Sequence, residues 1–137
     1  MITIVDYGVG NIGSLVNMFR RIGQETQLTA DPEQIVGAER LLLPGVGAFD
    51  AATAKLREGG FDAAILEFAR TGRPLLGICL GMQLLLDSSE EGTSSGLGLI
   101  PGGSVRFDDS RGTRVPHMGW NQLAVQKPAA IVDGLPE

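Results

Sequence analysis

Residues 75–86 read Leu-Leu-Gly-Ile-Cys-Leu-Gly-Met-Gln-Leu-Leu-Leu, and this stretch decides the fold that the sequence predicts. A short apolar run ends at Gly77, the single cysteine follows at Cys79, and a second apolar run begins after Gly81. This pattern predicts a buried β-strand, a sharp turn and a helix, with the thiol at the turn. The spacing is the cysteine form of the G-x-S-x-G nucleophile elbow. Because a sulfur at a helix N-terminus favours the thiolate, the stretch predicts acyl transfer by an activated cysteine.

A free cysteine is often no more than a small buried hydrophobic residue. The two flanking glycines favour a nucleophile instead, because a Cβ at Gly77 or Gly81 would clash where strand and helix approach each other. A thiol nucleophile also needs a partner base. The only histidine is His117, and a lone histidine is more often structural than catalytic.

Composition bounds the class of protein. The sequence has 137 residues, of which 43% are hydrophobic and 20% charged, and this predicts one globular domain over 1–137. A net charge of −5 without a basic tract argues against nucleic acid as a partner. No apolar run is long enough to span a bilayer, and no secretory signal precedes the first strand, so we expect no membrane association. A single cysteine fits a reducing, cytoplasmic location.

Short β-like runs alternate with helical stripes through the first half of the sequence. Such alternation predicts an α/β fold with a mostly parallel sheet and helices on both faces. The second half changes character: residues 88–98 predict a loop, and residues 104–107 and 118–125 predict antiparallel strands added at the edge of the sheet. The predicted strands of the first half are 2–5, 24–29, 41–43 and 75–78, and its helices begin near Ile12, Pro32, Phe61 and Leu80.

Ligands of parallel sheets bind at the carboxyl ends of the strands. Residues 6–11, residues 44–47 and Cys79 should all lie along that edge. Residues 44–47 read Pro-Gly-Val-Gly, which is either a plain strand-end turn or an oxyanion hole. In elbow enzymes one donor is the N–H after the nucleophile, here Leu80, and the other comes from a neighbouring strand-end loop.

Residues 8–13 fit G-x-G-x-x-G between a strand and a helix, and Asp31 lies near the position of a ribose-binding acid. Taken alone, this pattern predicts either a dinucleotide site or a tight turn of a doubly wound sheet.

Further along, Glu90 and Glu91 are either a solvated loop or the partner of a cationic group such as an α-amino group. Gln83, one turn into the elbow helix, lies where it could bind the same ligand. Trp120 is either a core residue or an interface anchor.

Four motifs in order resemble a known family. They are Asp-Tyr-Gly-Val-Gly-Asn at 6–11, Pro-Gly-Val-Gly at 44–47, Gly-Ile-Cys-Leu-Gly-Met-Gln at 77–83 and Pro-His-Met-Gly-Trp-Asn at 116–121. Together they resemble the class I, triad-type glutamine amidotransferases, and this resemblance implies a flavodoxin-like fold. The first and last motifs narrow the resemblance to the glutaminase subunits of imidazole glycerol phosphate synthase, in histidine biosynthesis, and the resemblance covers residues 2 to about 125.

The resemblance implies a function for most of these residues. Cys79 attacks the terminal carboxamide of glutamine and gives glutamate and ammonia through a γ-glutamyl thioester. Gly47 and Leu80 match the oxyanion region, and Gln83 and Glu91 match glutamine-binding positions. Ammonia passes to a (β/α)8-barrel cyclase subunit in a heterodimer, and the implied residues facing that partner are Asn11, His117, Met118 and Trp120. No cofactor or metal is implied, and the glycine-rich turn becomes an interface turn.

One departure from the family pattern changes the expectation for this protein. The family's triad ends in a histidine and a glutamate two residues apart, and nothing in these 137 residues matches that stretch. His117 belongs to the interface segment and is not the base. We therefore expect a domain without its last strands that is inactive by itself. Three alternatives stay open: a fragment or pseudo-enzyme that only binds its partner, an amidotransferase subunit of another pathway, and another cysteine hydrolase of similar fold.

Overall fold

The computed structural model describes residues 1–108, 110, 112 and 114–134. They belong to two compact units, Met1–Arg106 and Phe107–Glu137. The described part of the second unit includes a 3-10 helix, Ala130–Val132. The elements of the first unit are, in sequence order, β1 (Ile2–Val5), α1 (Ile12–Arg21), β2 (Thr26–Thr29), α2 (Pro32–Gly37), β3 (Arg40–Leu43), α3 (Phe49–Glu58), α4 (Phe61–Arg70), β4 (Leu75–Gly77), α5 (Leu80–Leu85), β5 (Leu86–Ser89) and β6 (Ile100–Ser104).

Four strands form a parallel sheet in the order β2-β1-β3-β4. Ile2 of β1 lies opposite Thr26 of β2 and Arg40 of β3, and Leu43 of β3 lies opposite Gly77 of β4. Since every pairing is parallel, the carboxyl ends of all four strands meet at one edge. The predicted parallel architecture is confirmed.

Helices cover both faces of this sheet. On one face Val5, Leu41 and Leu43 pack into the main core, and on the other Ile4 and Leu42 pack against Phe19 of α1. Both β1 and β3 are therefore buried on both faces, as expected of central parallel strands. The largest fully buried side chains that helices α2 to α5 contribute to the main core are Ile35, Phe49, Leu56, Ile65, Phe68 and Leu84.

Two helices begin at the capping residues that the sequence indicates. The Asn11 side-chain oxygen accepts a hydrogen bond from the Ser14 N–H at 3.4 Å and caps α1. The Asp31 carboxylate accepts one from the Glu33 N–H at 2.9 Å and caps α2, which has Pro32 in its first turn. Both side chains thereby satisfy N–H groups that a helix leaves unpaired at its start.

The second half of the sequence differs from the prediction. Strands β5 and β6 pair with each other in parallel and form a separate two-stranded sheet, so the predicted antiparallel edge strands are wrong. Residues 118–125 form no strand. Parallel pairing is possible because the connection between Ser89 and Ile100 is long enough to return to the starting end of β5.

Two further elements differ from the sequence-based expectation. The sequence does not predict helix α3, although Phe49, Ala52, Thr53 and Leu56 are buried at helical spacing. Alanine and threonine make a weak apolar stripe, and the signal is correspondingly weak. Strand β4 is predicted to be buried, but it lies at the edge of the described sheet and its Leu76 is 37% exposed.

The glycines of the β1–α1 turn give a matched pair of stability predictions. A Cβ at Gly13, inside α1, meets nothing within 4 Å, whereas one at Gly10 would lie 3.2 Å from the Pro44 Cβ at a backbone φ of +132°. We expect Gly13→Ala to raise the free energy of unfolding by about 0.5 kcal/mol and Gly10→Ala to lower it by roughly 1–3 kcal/mol. Urea unfolding of both variants measures this, and effects of the same sign would contradict it.

Candidate active site

Cys79 stands at the sharp turn between β4 and α5. Its backbone angles are φ 55° and ψ −119°, and it is the one non-glycine residue with a positive φ among the described residues. Such a conformation costs about 1–3 kcal/mol in an ordinary residue and persists only where surrounding contacts enforce it. The side chain is exposed and free of disulfide bonding. The local geometry is that of the predicted nucleophile elbow.

Close backbone contacts enforce this turn. The Ile78 N–H donates to the Leu43 carbonyl oxygen at 3.0 Å and joins the elbow to the end of β3. A Cβ at Gly81 would overlap that same carbonyl oxygen, and a Cβ at Gly77 would lie 2.7 Å from the backbone of Met82. Both glycines are therefore required by the packing of strand against helix, as the sequence predicts.

Residues 44–47, called the oxyanion loop after the role predicted for them, lie beside the elbow. Pro44 and Gly45 are buried, whereas Val46 and Gly47 are exposed. A Cβ at Gly45 would lie 2.7 Å from the Gly81 nitrogen and 2.9 Å from the Leu80 Cβ, so the loop rests directly on the start of α5. The two predicted donor regions, around Gly47 and Leu80, thus belong to segments that are in contact next to the thiol.

Ser89 links the two predicted glutamine-binding residues. Its hydroxyl donates to the Gln83 side-chain oxygen at 3.3 Å and accepts from the Glu91 N–H at 3.1 Å. The Ser104 hydroxyl donates to the same Ser89 oxygen at 2.9 Å. Since Ser89 is buried, these bonds hold Gln83 and the backbone at Glu91 in a defined relation. The sequence analysis did not identify Ser89. The local signal for it is a hydroxyl residue two positions before an acidic residue in a turn, because such a hydroxyl can hydrogen-bond to the backbone of the turn.

Helix α3 holds the loop that follows Glu91. The Asp50 carboxylate accepts hydrogen bonds from the backbone N–H groups of Thr93 and Ser94, each at 2.9 Å, and from the Thr93 hydroxyl at 3.2 Å. Arg57 donates to the Ser95 carbonyl oxygen at 2.9 Å and to its hydroxyl at 3.0 Å. The Ser94 and Thr93 N–H groups hold the pKa of Asp50 below its usual value, because they stabilise the charged form.

The glycine-rich turn lacks the geometry of a dinucleotide site. The third glycine of such a fingerprint permits close packing of helix against strand, but space is open around a Cβ at Gly13. Asp31, the candidate ribose ligand, is engaged as the cap of α2 and also accepts from the Gln34 amide at 3.2 Å. The turn instead contacts the oxyanion loop at Pro44, and its Gly8 carbonyl accepts from the Lys55 ammonium at 3.1 Å.

The predicted interface residues fall in both units. Asn11, in the first, is exposed and caps α1. In the second, the Asn121 side-chain nitrogen lies 2.8 Å from His117 Nε2, and the His117 ring lies 6.2 Å from that of Phe107. Met118 is 85% exposed and Trp120 is fully exposed, so Trp120 is not a core residue of its unit.

Two features are absent from the residues that the structure describes. No group of three or more histidine, cysteine, aspartate or glutamate side chains among them is arranged to hold a metal ion. No helix among them has the length and apolar character needed to cross a membrane.

Comparison with known proteins agrees with this geometry. The family model for glutamine amidotransferase class-I matches residues 3–137, and the protein therefore belongs to this family. A solved structure described as a glutamine amidotransferase shares the fold, with a TM-score of 0.61 and 21% identity over 72% of the present sequence and 52% of the other.

The curated relatives show which members of this family the sequence is similar to. It is 48% identical to imidazole glycerol phosphate synthase subunit HisH of Syntrophotalea carbinolica, over 98% of its own length and 68% of that protein. It is 47% identical to the HisH subunit of Streptococcus gordonii, over 98% of its own length and 66% of that protein. It is also 48% identical to chloroplastic imidazole glycerol phosphate synthase hisHF of Arabidopsis thaliana, over 97% of its own length and 23% of that protein. The 137 residues thus span about two thirds of the length of the HisH subunits they resemble.

Asp50 gives a pH-dependent prediction. Its pKa is depressed by folding from an ordinary value of 3.8, so the unfolded state binds the proton more readily than the folded one. The stability that Asp50 contributes is therefore complete above about pH 5 and is lost as the pH falls through the lower folded pKa. We expect the difference in unfolding free energy between wild type and Asp50→Asn to be constant from neutral pH to about pH 5 and to shrink below about pH 4.

Urea unfolding from pH 7 down to about pH 3 measures this difference. Glu58→Gln is a suitable control, since it removes an acidic group from the opposite end of the same helix. A difference that stays the same across the whole range would contradict the assigned role of Asp50.

Proposed function

We propose that this protein supplies the nucleophile of a glutaminase. The observation that supports the proposal most strongly is Cys79 at a strained turn, exposed, with the oxyanion loop packed against the residue that follows it. Membership of the class-I glutamine amidotransferase family supports the same chemistry. The substrate is glutamine, and the bond broken is the one between the carbon and the nitrogen of its carboxamide.

The reaction proceeds in two acyl-transfer steps. The Cys79 thiolate attacks the carboxamide carbon, a C–S bond forms, and the carbonyl electron pair moves onto oxygen. Collapse of this tetrahedral intermediate expels the amide nitrogen, which leaves as ammonia after accepting a proton. Water then attacks the γ-glutamyl thioester, releases glutamate and restores the thiol.

The neighbouring groups have separate roles in this scheme. N–H groups of Gly47 and Leu80 stabilise the negative oxygen of each tetrahedral intermediate, a contribution of a few kcal/mol in comparable enzymes. Gln83 and Glu91 bind the amino-acid part of glutamine; the Glu91 carboxylate suits its α-ammonium group. Ser89 keeps these two residues in register through its hydrogen bonds to both.

The names of the curated relatives suggest where the ammonia goes. We propose that it passes to a (β/α)8-barrel cyclase subunit, in a heterodimer that makes imidazole glycerol phosphate for histidine biosynthesis. The exposed side chains of Asn11, Met118 and Trp120, with His117, are the candidates to face that subunit. A free catalytic thiol is compatible with a reducing compartment, and we propose the cytoplasm.

Substitution of the nucleophile tests the catalytic proposal. The full product of the gene that encodes these residues, mixed with a cyclase subunit of imidazole glycerol phosphate synthase, should release glutamate and ammonia from glutamine. Cys79→Ala should lower this rate by several powers of ten, because the covalent route is lost. Met82→Ala, on the exposed side of the same helix, is the control and should retain activity. Unchanged glutaminase activity in Cys79→Ala would overturn the assignment.

The 137 residues by themselves are expected to turn over little glutamine. No stretch of them matches the family's histidine and glutamate pair, and removal of a base from a nucleophile–base unit costs several powers of ten in rate. A glutaminase assay of this polypeptide, with and without the cyclase subunit, measures the effect. Turnover close to that of a complete HisH subunit would contradict the expectation. If the polypeptide only binds its partner, it should bind the cyclase subunit but hydrolyse no glutamine. If a different synthase subunit stimulates its glutaminase activity, the protein belongs to another pathway.

A further inference from the structure

Tyr7 makes a buried hydrogen bond to the oxyanion loop. It follows β1, its side chain is 5% exposed, and its hydroxyl donates to the Pro44 carbonyl oxygen at 2.8 Å. The bond joins the ends of two neighbouring strands, since Pro44 directly follows β3. Burial raises the pKa of the Tyr7 hydroxyl well above its usual value of 10.0, so the group stays a donor throughout the neutral range.

This bond holds the first peptide unit of the loop. A peptide unit is planar, so holding the Pro44 carbonyl oxygen also holds the orientation of the Gly45 N–H. On the other side, Gly45 rests against the start of α5, and the Pro44 ring lies in the space that Gly10 leaves open. The remaining rotations that place the Gly47 N–H are those of exposed residues that follow this pinned peptide.

We propose that Tyr7 is a positioning residue for the oxyanion loop, and that its hydroxyl holds the Pro44–Gly45 peptide so that the loop presents its N–H groups beside Cys79. This inference rests on the acyl-transfer role proposed for Cys79. Tyr7 touches no reacting atom and acts through the loop. Loss of the hydroxyl leaves the buried Pro44 carbonyl oxygen without this donor, and the peptide is then free to rotate toward another one.

Two reagents separate the oxyanion loop from the thiol. With p-nitrophenyl acetate, the thiolate attacks the ester carbon, an oxyanion forms, and p-nitrophenolate leaves with the electron pair of the broken C–O bond. With iodoacetamide, the thiolate displaces iodide from a methylene carbon and no oxyanion forms. Cys79 is the only cysteine in the sequence, so the ratio of acylation to alkylation rate isolates oxyanion stabilisation from thiolate reactivity. The rates are measured near pH 9, where a free cysteine in solution is largely ionised, so that the assay does not depend on a base in the protein.

The test compares Tyr7→Phe with Thr53→Val in the 137-residue protein. Thr53 also donates a buried hydroxyl to a backbone carbonyl, that of Phe49 at 2.8 Å, but within α3. Tyr7→Phe should lower the ratio of acylation to alkylation about tenfold, less than the loss of a whole oxyanion donor. Thr53→Val should leave the ratio within about twofold of wild type. An unchanged ratio in Tyr7→Phe, or an equal fall in Thr53→Val, would overturn the inference.

Failure of the proposed function gives a different result. The glutaminase assay of Cys79→Ala would then show unchanged activity, and that result would remove the proposal and this inference together. Acylation by p-nitrophenyl acetate does not test the proposal, because any exposed thiolate reacts with this ester. A second pair of variants tests the inference if Tyr7→Phe does not fold. At position 7, 4-aminophenylalanine keeps a donor, whereas 4-methylphenylalanine has similar size and none. The first should retain the wild-type ratio and the second should not; equal ratios would overturn the inference.

Discussion

The site depends on the contact between the end of β3 and the turn at Cys79. The Leu43 carbonyl oxygen accepts the Ile78 N–H and leaves no room for a Cβ at Gly81. This contact turns the Cys79 side chain away from the backbone of the turn. The oxyanion loop directly follows β3 and therefore lies against the start of α5. One close approach of two strand ends therefore produces both the strained turn at Cys79 and the position of the loop that we propose as the source of the oxyanion donors. The strain at Cys79 is tolerated because buried β3 cannot move aside.

A second set of polar contacts brings distant parts of the sequence to the same region. Ser89 connects α5 with the turn that carries Glu91, and Asp50 of α3 holds the segment that follows it. The β1–α1 turn reaches the oxyanion loop through Tyr7. A few side chains are thus held by helices, loops and strand ends that are tens of residues apart in the sequence. A rigid scaffold usually positions groups on loops in this way.

The glycine-rich turn shows how structure separates two interpretations of one motif. G-x-G-x-x-G between a strand and a helix fits both a dinucleotide site and a tight turn. Two glycines of the motif have different surroundings. Gly10 makes room for Pro44, whereas Gly13 faces open space. The spacing of glycines could not distinguish these cases, because a pattern does not record which neighbour lies beside each position.

Local signals in the sequence determined the parallel alternation of strands and helices, the caps at Asn11 and Asp31, the elbow at Cys79 and the loop at 44–47. These features depend on periodicity, on capping groups and on contacts within a few residues, all of which are present in the order of residues itself. Only the tertiary structure decided the pairing of β5 with β6, the edge position of β4 and the hydrogen bonds of Tyr7, Ser89 and Asp50. Each of those depends on which segment comes to lie beside another. Such proximity is set by the packing of the whole sheet, and no local pattern encodes it.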